Sequence, residues 1–295
     1  MRALVFGAVL VAACSKTTEK PAPPVETKPS ATPSASAPTP AYVECGALEC
    51  RAYDSLAAAF ESTLVDKPIV VAVGEAHAKK GFEWVDTAAK RFTAEVVPKL
   101  QGRASDLLLE LMAPALGCEQ AKKGTNEQLG KIGKDQAPSA PNEYVVLGKA
   151  AEKVGIKVSQ LHPSCKELDA IAKSKSPPLT VLQTITSLVS HDAVVGLAQK
   201  GRKEDQLFVI YGGAFHTEPA PPEERAEFSF AAPVAKAAKD RYASVHLFVR
   251  EYVDQTWDIW PWYPQFKADQ HADKYVVLHP KAQHWVILTA AAKKP

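Results

Sequence analysis

The stretch "VVAVGEAHAKKG", residues 70–81, joins an apolar, mostly β-branched run to an abrupt polar ending. We predict a strand from Pro68 to Val73, and its lack of polar positions is typical of a strand buried on both faces. Gly74 follows at the corner, where glycine tolerates unusual backbone angles. Glu75 and His77 then place a carboxylate and an imidazole beside that corner. Such an ending indicates either a site at the sheet edge or simple loop polarity.

The same alternation of apolar runs and helical patterns continues along the chain and predicts the fold class. Predicted helices separate apolar strands, which indicates a parallel sheet covered on both faces. We expect helices over 52–64, 82–100, 142–154 and 178–200, and further strands over 106–112, 156–161 and 207–211. After about residue 243 come "SVHLFVREY", "KYVVLH" and "HWVILT", the last two as a hairpin. The prediction is a three-layer α/β sandwich with a mostly parallel, doubly wound-like sheet and extra C-terminal strands. Residues 113–141 are expected to form a long loop over its carboxyl edge.

The N-terminal region predicts export and attachment to a membrane. Residues 1–14 have the layout of a signal peptide, and Cys14 after small residues resembles a bacterial lipobox. Residues 15–42 are rich in Pro, Ser and Thr and are expected to be a disordered tether. Residues 43–295 then form one α/β domain. The expected partner is the bilayer, through acylated Cys14, and the outer membrane is favoured over the inner because Ser15 replaces the aspartate that retains many lipoproteins.

Charge and cysteines narrow the function class. The formal net charge of +2 is close to balance, so nothing indicates nucleic-acid binding. Four cysteines remain besides Cys14, and an even number in an exported domain favours disulfides. Of the three possible pairings we favour Cys45–Cys50 with Cys118–Cys165. Metal ligation by these cysteines is the alternative, although none stand in a C-x-x-C spacing.

A second motif in the same frame makes a site at the sheet edge the better interpretation. His77 and His216 each lie three residues after a glycine, in "GEAH" and "GAFH", and each glycine follows a predicted strand. Glu110 lies inside the apolar run "LLLEL", where an unpartnered carboxylate would cost several kcal/mol. In the commonest doubly wound strand order, three-two-one-four, both histidines would face the crevice where ligands bind, beside Glu110.

These residue types suggest a catalytic metal. His77, Glu110 and His216 form a ligand set that would hold a divalent ion with an open position. Glu75 would act as general base or would orient His77. Two further candidates for cofactor binding are His162, after the third strand, and His191, on the long helix, which faces either the site or solvent.

The paired G-x-x-H motifs, together with Glu110 on the intervening strand, resemble a known superfamily. It contains the TraB/PrgY and TIKI proteins, the erythromycin esterases and the ChaN-like haem-binding lipoproteins, and the match spans about residues 67–219. The G-E-x-H form of the first motif is closer to the ChaN and esterase branches. The chain departs from the family at His162, where an acidic residue is usual, and at His191–Asp192, where Arg with Asp or Asn is usual. The resemblance implies metal-dependent peptidase, esterase or haem-binding activity.

Three hypotheses follow. The first is a metal-dependent hydrolase that acts on a small molecule or peptide, and the second is a non-covalent haem-binding lipoprotein. The third is an inert envelope binding module, for which "WDIWPWYPQF", residues 257–266, would be a contact surface if exposed and a core cap if buried.

Overall fold

The computed structural model describes residues 40–113, 117–203, 205–253, 260–265 and 271–293. Cys14, the signal peptide and the tether up to residue 39 lie outside these ranges. Ala41 and Tyr42, which we assigned to the tether, form a short edge strand that pairs with Arg51 and Ala52. Among the described residues, no helix has the length and apolar character needed to cross a membrane.

The described residues form a mixed α/β fold around one nine-stranded sheet. The strands are β1 (Ala41–Tyr42), β2 (Glu49–Tyr53), β3 (Val70–Glu75), β4 (Ala104–Met112), β5 (Lys157–Leu161), β6 (Leu207–Gly213), β7 (Tyr242–Phe248), β8 (Tyr275–Lys281) and β9 (His284–Leu288). Their order is β1-β2-β8-β9-β7-β3-β6-β4-β5. The pairs from β9 through β7 to β5 are parallel, and the pairs among β1, β2, β8 and β9 are antiparallel. A mostly parallel sheet, the additional strands at one end and the β8–β9 hairpin were all predicted.

The order of the four predicted strands was wrong in one respect. The fourth, β6, lies between the first, β3, and the second, β4, instead of outside them. Every residue of β3 and β6 is buried, whereas β4 and β5 are partly exposed, so the two fully buried strands among these four lie nearer the middle of the sheet. The adjacency of β3 and β6, on which the predicted pairing of His77 with His216 depends, is correct.

Helices connect the strands and pack on the sheet. They are α1 (Leu56–Ser62), α2 (Ala88–Arg91, continued by π and 3-10 turns to Leu100), α3 (Glu119–Ile132), α4 (Ala140–Lys153), α5 (Cys165–Lys173), α6 (Pro177–Leu197), α7 (Ala214–Thr217), α8 (Ala231–Ala237) and α9 (Arg250–Val253), with 3-10 turns at Gly133–Asp135, Glu223–Phe228 and Tyr263–Gln265. The side chains of β3 alternate between two hydrophobic clusters, because successive residues of a strand face opposite ways. Val71 and Val73 pack with residues of α1, α2 and α4, and Val70 and Ala72 pack with residues of α6 and α8.

The helix expected over residues 52–64 begins only at Leu56, because Glu49–Tyr53 form strand β2, which was not predicted. Two further predicted segments also differ from the structure. Residues 113–141 are not a loop, because α3 and the start of α4 occupy much of them. The sequence pattern did not predict α3 because this segment is rich in lysine and glycine and has few apolar positions. Among its residues Thr125 is buried, and the Thr125 hydroxyl donates to the Leu168 carbonyl (2.7 Å). The second segment is the helix expected from Phe82, which begins at Ala88, where the Thr87 side chain accepts a hydrogen bond from Lys90 N–H. The four cysteines are paired as favoured, Cys45 with Cys50 and Cys118 with Cys165.

Two buried histidines of the sheet, His246 in β7 and His284 in β9, should make the domain sensitive to acid. The His246 and His284 rings lie edge to face with centroids 4.4 Å apart. Burial lowers the pKa of both, to about 3 for His284. The pKa of each ring is lower in the folded protein than its unfolded value of about 6.5. The folded state is therefore at full stability above pH 6.5 and loses stability as the pH falls towards 3.

We therefore expect unfolding measurements in urea to show a loss of about 2–3 kcal/mol from His284 alone between pH 7 and pH 4.5. The His284→Gln variant, which has no titrating ring, should lose correspondingly less over the same range. Equal pH slopes for the variant and the unchanged protein would contradict the assignment.

Candidate functional site

Glu75 ends β3 and is the most completely bonded carboxylate of the site. Its side chain is buried, and both oxygens have partners. Tyr211 OH donates to Oε2 (2.7 Å) and Tyr144 OH donates to Oε1 (3.1 Å), while His77 Nδ1 lies 3.3 Å from Oε1. With its oxygens occupied, Glu75 is placed to orient His77, the second of the two roles considered for it.

The His77 side chain is partly exposed, at 32%. Burial lowers the pKa of His77, but the hydrogen bond to Glu75 and the charges of Glu75 and Glu110 outweigh it, so the net direction is upward. Because Nδ1 faces a carboxylate, it carries the proton in the neutral ring. The lone pair of Nε2 is then free to accept a proton or bind a cation.

His216 and Glu110 form a second pair opposite. His216 Nδ1 lies 2.7 Å from the Phe228 carbonyl oxygen and 3.1 Å from Thr186 Oγ1. A carbonyl oxygen only accepts, so Nδ1 donates and Nε2 is the acceptor of the neutral ring. That Nε2 lies 3.6 Å from Glu110 Oε1, while Glu110 Oε2 accepts from Gly213 N–H (2.8 Å). Two buried acceptors that face each other require a shared cation, either a proton or a metal ion.

All three groups converge on Gly213, at the end of β6. A methyl group built on its Cα would lie 3.6 Å from His77 Nε2, 3.6 Å from Glu110 Oε1 and 3.5 Å from His216 Cδ2. The structure therefore brings together Glu75, His77, Glu110 and His216, which the sequence singled out. His77 and Glu110 place acceptor atoms, and His216 places its ring edge at Cδ2, around one point that has no side chain of its own.

The convergence point is the floor of a cavity of about 820 Å³, within the range of small-molecule sites. Its walls are largely apolar. They come from the end of β4, the C-terminal turn of α3 with the segment that follows it, the first half of α6 and Trp260. The wall residues include Leu111, Met112, Leu129, Ile132, Val181, Leu182, Ile185 and Phe215.

His162 and His191 are not brought to this cavity. Both are exposed, and neither lines it. His162 follows β5 at the predicted edge, but β5 is the outermost strand, two positions away from β6. The charges of both rings instead affect Asp192. Burial raises the pKa of Asp192 above its ordinary value, and the two histidines offset part of that rise. A cofactor role for them stays a prediction that the cavity does not support.

The described part of the C-terminal aromatic segment is a core cap. Trp260 and Trp262 are buried and pack with Phe248, with Trp260 also stacked on Phe215 at 5.7 Å between ring centroids. The described aromatic residues therefore form no exposed contact patch, whereas Trp257 and Phe266 lie outside the described ranges.

Sequence reasoning missed the hydroxyl groups that hold the two pairs in place, namely Tyr144, Tyr211 and Thr186. Tyr211 had a visible indication, since it is the one hydroxyl-bearing residue in the strand "LFVIY" and stands directly before the glycine pair. It pairs in register with Val73, two residue pairs before Glu75 and Gly213 meet. Burial and the Glu75 charge raise the pKa values of Tyr144 and Tyr211 well above 10, so both remain donors at neutral pH.

The Tyr211→Phe substitution should lower the free energy of unfolding by about 1–3 kcal/mol, because the buried Glu75 carboxylate loses a donor. Tyr242→Phe is the matched control. It removes another buried hydroxyl, which donates only to the neutral Thr217 carbonyl (2.7 Å), and should cost nearer 1 kcal/mol. Urea unfolding of the two variants provides the measurement, and a Tyr211→Phe loss no larger than the control would contradict the role given to this bond.

Comparison with known proteins adds little. No family model matches the sequence, and no curated protein matches it. Among solved structures, the chain is similar to that of the type III effector HopBA1, with 12% sequence identity and a TM-score of 0.36 over 76% of this chain and 88% of that one. A similarity at this level assigns no family and carries no argument about function.

Proposed function

We propose that the protein is a hydrolase whose reaction takes place where His77, Glu110 and His216 converge at Gly213. The observation that carries this proposal is the set of acceptor atoms around that point, 3.6 Å from the built methyl position for two of them, at the floor of an apolar cavity. The resemblance to the TIKI, TraB, esterase and ChaN-like superfamily supports the same residues.

The residues divide the proton transfers between them. His77 Nε2 takes a proton from the attacking water, and Glu75 keeps the ring oriented and stabilises the charge that the ring acquires. A proton held by the pair of His216 and Glu110 is then available for the leaving group. The apolar walls exclude bulk water and strengthen these interactions.

A divalent metal ion is the second candidate, because two nitrogen acceptors and a carboxylate suit such an ion. The Nδ1 contacts to Glu75 and to the Phe228 carbonyl are the supporting bonds that metal-binding histidines make. The described side chains do not already form a group of three His, Cys, Asp or Glu that could hold a metal ion, so the ligands would have to draw together around it. His77, Glu110 and His216 would be its ligands, and the ion would supply Lewis-acid chemistry.

Elemental analysis, an absorption spectrum and a panel of ester, lactone and peptide substrates, all on the protein as purified, test these proposals. Hydrolysis without stoichiometric metal supports the acid–base site, and hydrolysis lost on chelation and restored by one metal supports the ion. A Soret band, or one produced by haemin titration, would support the ChaN-like haem alternative. A protein without hydrolysis, metal or Soret band would leave the inert binding module.

We also propose the finer architecture and the location. The two hydrophobic clusters on opposite sides of β3 support a three-layer sandwich.

The lipobox-like Cys14 and the two disulfides support a domain held at the outer membrane by acylated Cys14, in an oxidising compartment. Cys14→Ala should abolish palmitate labelling and release the protein from the membrane fraction. A variant that stays membrane-bound and labelled would refute the anchor.

A further inference from the structure

We infer that the cavity accepts an anionic amphiphile, a molecule with an acyl-type apolar body and a negatively charged group that remains at the mouth. This inference rests on the proposed function, because it names the class of molecule that reaches the convergence point. It depends on how apolar, basic and acidic side chains are distributed along the cavity.

The apolar body is indicated by the walls. Val181 and Leu182 lie about one turn before Ile185 on α6, and the three side chains line one apolar side of the cavity. Leu129 and Ile132 of α3 also line it, although α3 is otherwise a polar helix. The cavity could hold on the order of 30 water-sized groups, enough for a long acyl chain. A polar ligand of that size would leave many groups without partners.

The anionic group is indicated by two lysines. Lys80 and Lys134 line the cavity and are exposed. Their segments are held together, because Lys79 pairs with Gln136 and Ala137 N–H donates to the Ala78 carbonyl (2.7 Å). Neither lysine forms an ion pair within the part of the chain that the structure describes, although backbone hydrogen bonds and the charge of Lys80 lower the pKa of the exposed Glu83 carboxyl. The acidic groups that line the described cavity, Glu75 and Glu110, are at its floor instead.

This distribution gives a ligand one orientation. A negative group is repelled by the floor carboxylates and attracted by the mouth lysines, so the charged end stays outside while the apolar body enters. A carbonyl carried within the body can then reach the convergence point at Gly213. Cationic amphiphiles of the same length have no favourable partner at the mouth.

Isothermal titration of the full-length protein with three twelve-carbon probes below their micelle concentrations tests this inference. Dodecanoate should bind about tenfold more tightly than neutral dodecyl maltoside, and dodecyltrimethylammonium more weakly than both. The Lys80→Ala/Lys134→Ala variant should reduce the tenfold preference to twofold or less. The matched control, Lys123→Ala/Lys131→Ala, removes the same charge from α3 at positions outside the cavity lining and should keep the preference.

A second pair of variants tests the walls. Ile185→Gln should weaken dodecanoate binding about tenfold, whereas Leu179→Gln, on the exposed side of the same helix, should not. Equal binding of the three probes, or equal effects of the lysine pairs, would overturn the inference. Hydrolysis of short neutral esters by the same preparations tests the proposed function separately, so retained hydrolysis without amphiphile preference would remove only the substrate class.

Discussion

Replacing His77 by alanine is expected to lower kcat/KM for any substrate of this site by at least about a hundredfold, as the loss of a general base does. The reason is positional, since His77 Nε2 lies beside the convergence point while its Nδ1 faces the buried Glu75 carboxylate. His216→Ala should have an effect of similar size, because Glu110 would then face the floor without its partner at 3.6 Å. Steady-state kinetics on a substrate found in the panel provides the measurement.

The controls separate chemistry from folding. Glu75→Gln keeps the size of the side chain and should lower kcat more than it raises KM, because Glu75 acts through His77. His271→Asn changes an exposed histidine with φ of 53°, a conformation that asparagine tolerates, and should leave kcat/KM within twofold. Circular dichroism should be unchanged in all four variants. A His77→Ala variant with half of the activity or more would refute the role given to His77.

The sequence could predict the parts of this site that depend on neighbouring residues, but not the parts that depend on contacts between residues far apart in the chain. β3 and β6 are buried at every residue, and their apolar runs predicted both strands from local pattern alone. The glycines near their carboxyl ends are also local features, although Gly74 and Gly213 lie within β3 and β6 and not, as predicted, at corners after them. They identified His77 and His216, and the buried position of Glu110 identified the third group.

What the sequence could not provide was the partner of each group. The insertion of β6 between β3 and β4 depends on Gly212, which lets the Glu110 side chain cross that strand. The bond from Tyr144 to Glu75 joins residues 69 positions apart, and the bond from Tyr211 joins residues 136 apart. The periodic patterns that predict helices and strands carry no information about contacts between residues so far apart in the chain. The helix α3 was not predicted for another reason. Its buried contact is a hydrogen bond from Thr125 to α5, and α3 has almost no apolar stripe that a sequence pattern could detect.

The neighbouring glycines of β6 offer the sharpest test of the convergence point. Gly213 has φ −72° and ψ 142°, which alanine adopts without strain. Its added methyl group would make van der Waals contact with all three converging side chains. Gly213→Ala should therefore fold with nearly unchanged stability, yet lose at least about a hundredfold in kcat/KM because the methyl group occupies the position of the reacting atoms.

Gly212→Ala is the matched change one residue earlier, and we expect it to lower the stability of the fold instead of blocking the reaction. Its methyl group would overlap Glu110 Oε2 and lie 2.7 Å from Glu110 Cβ, in a sheet that is buried on both sides. We expect a loss of about 1–3 kcal/mol in the free energy of unfolding, as overpacking costs in a core. Urea unfolding and kinetics on both variants distinguish the two effects. A stable Gly213→Ala protein with full activity would mean that the reaction does not pass through this point, and the proposed function would fall while the fold remained.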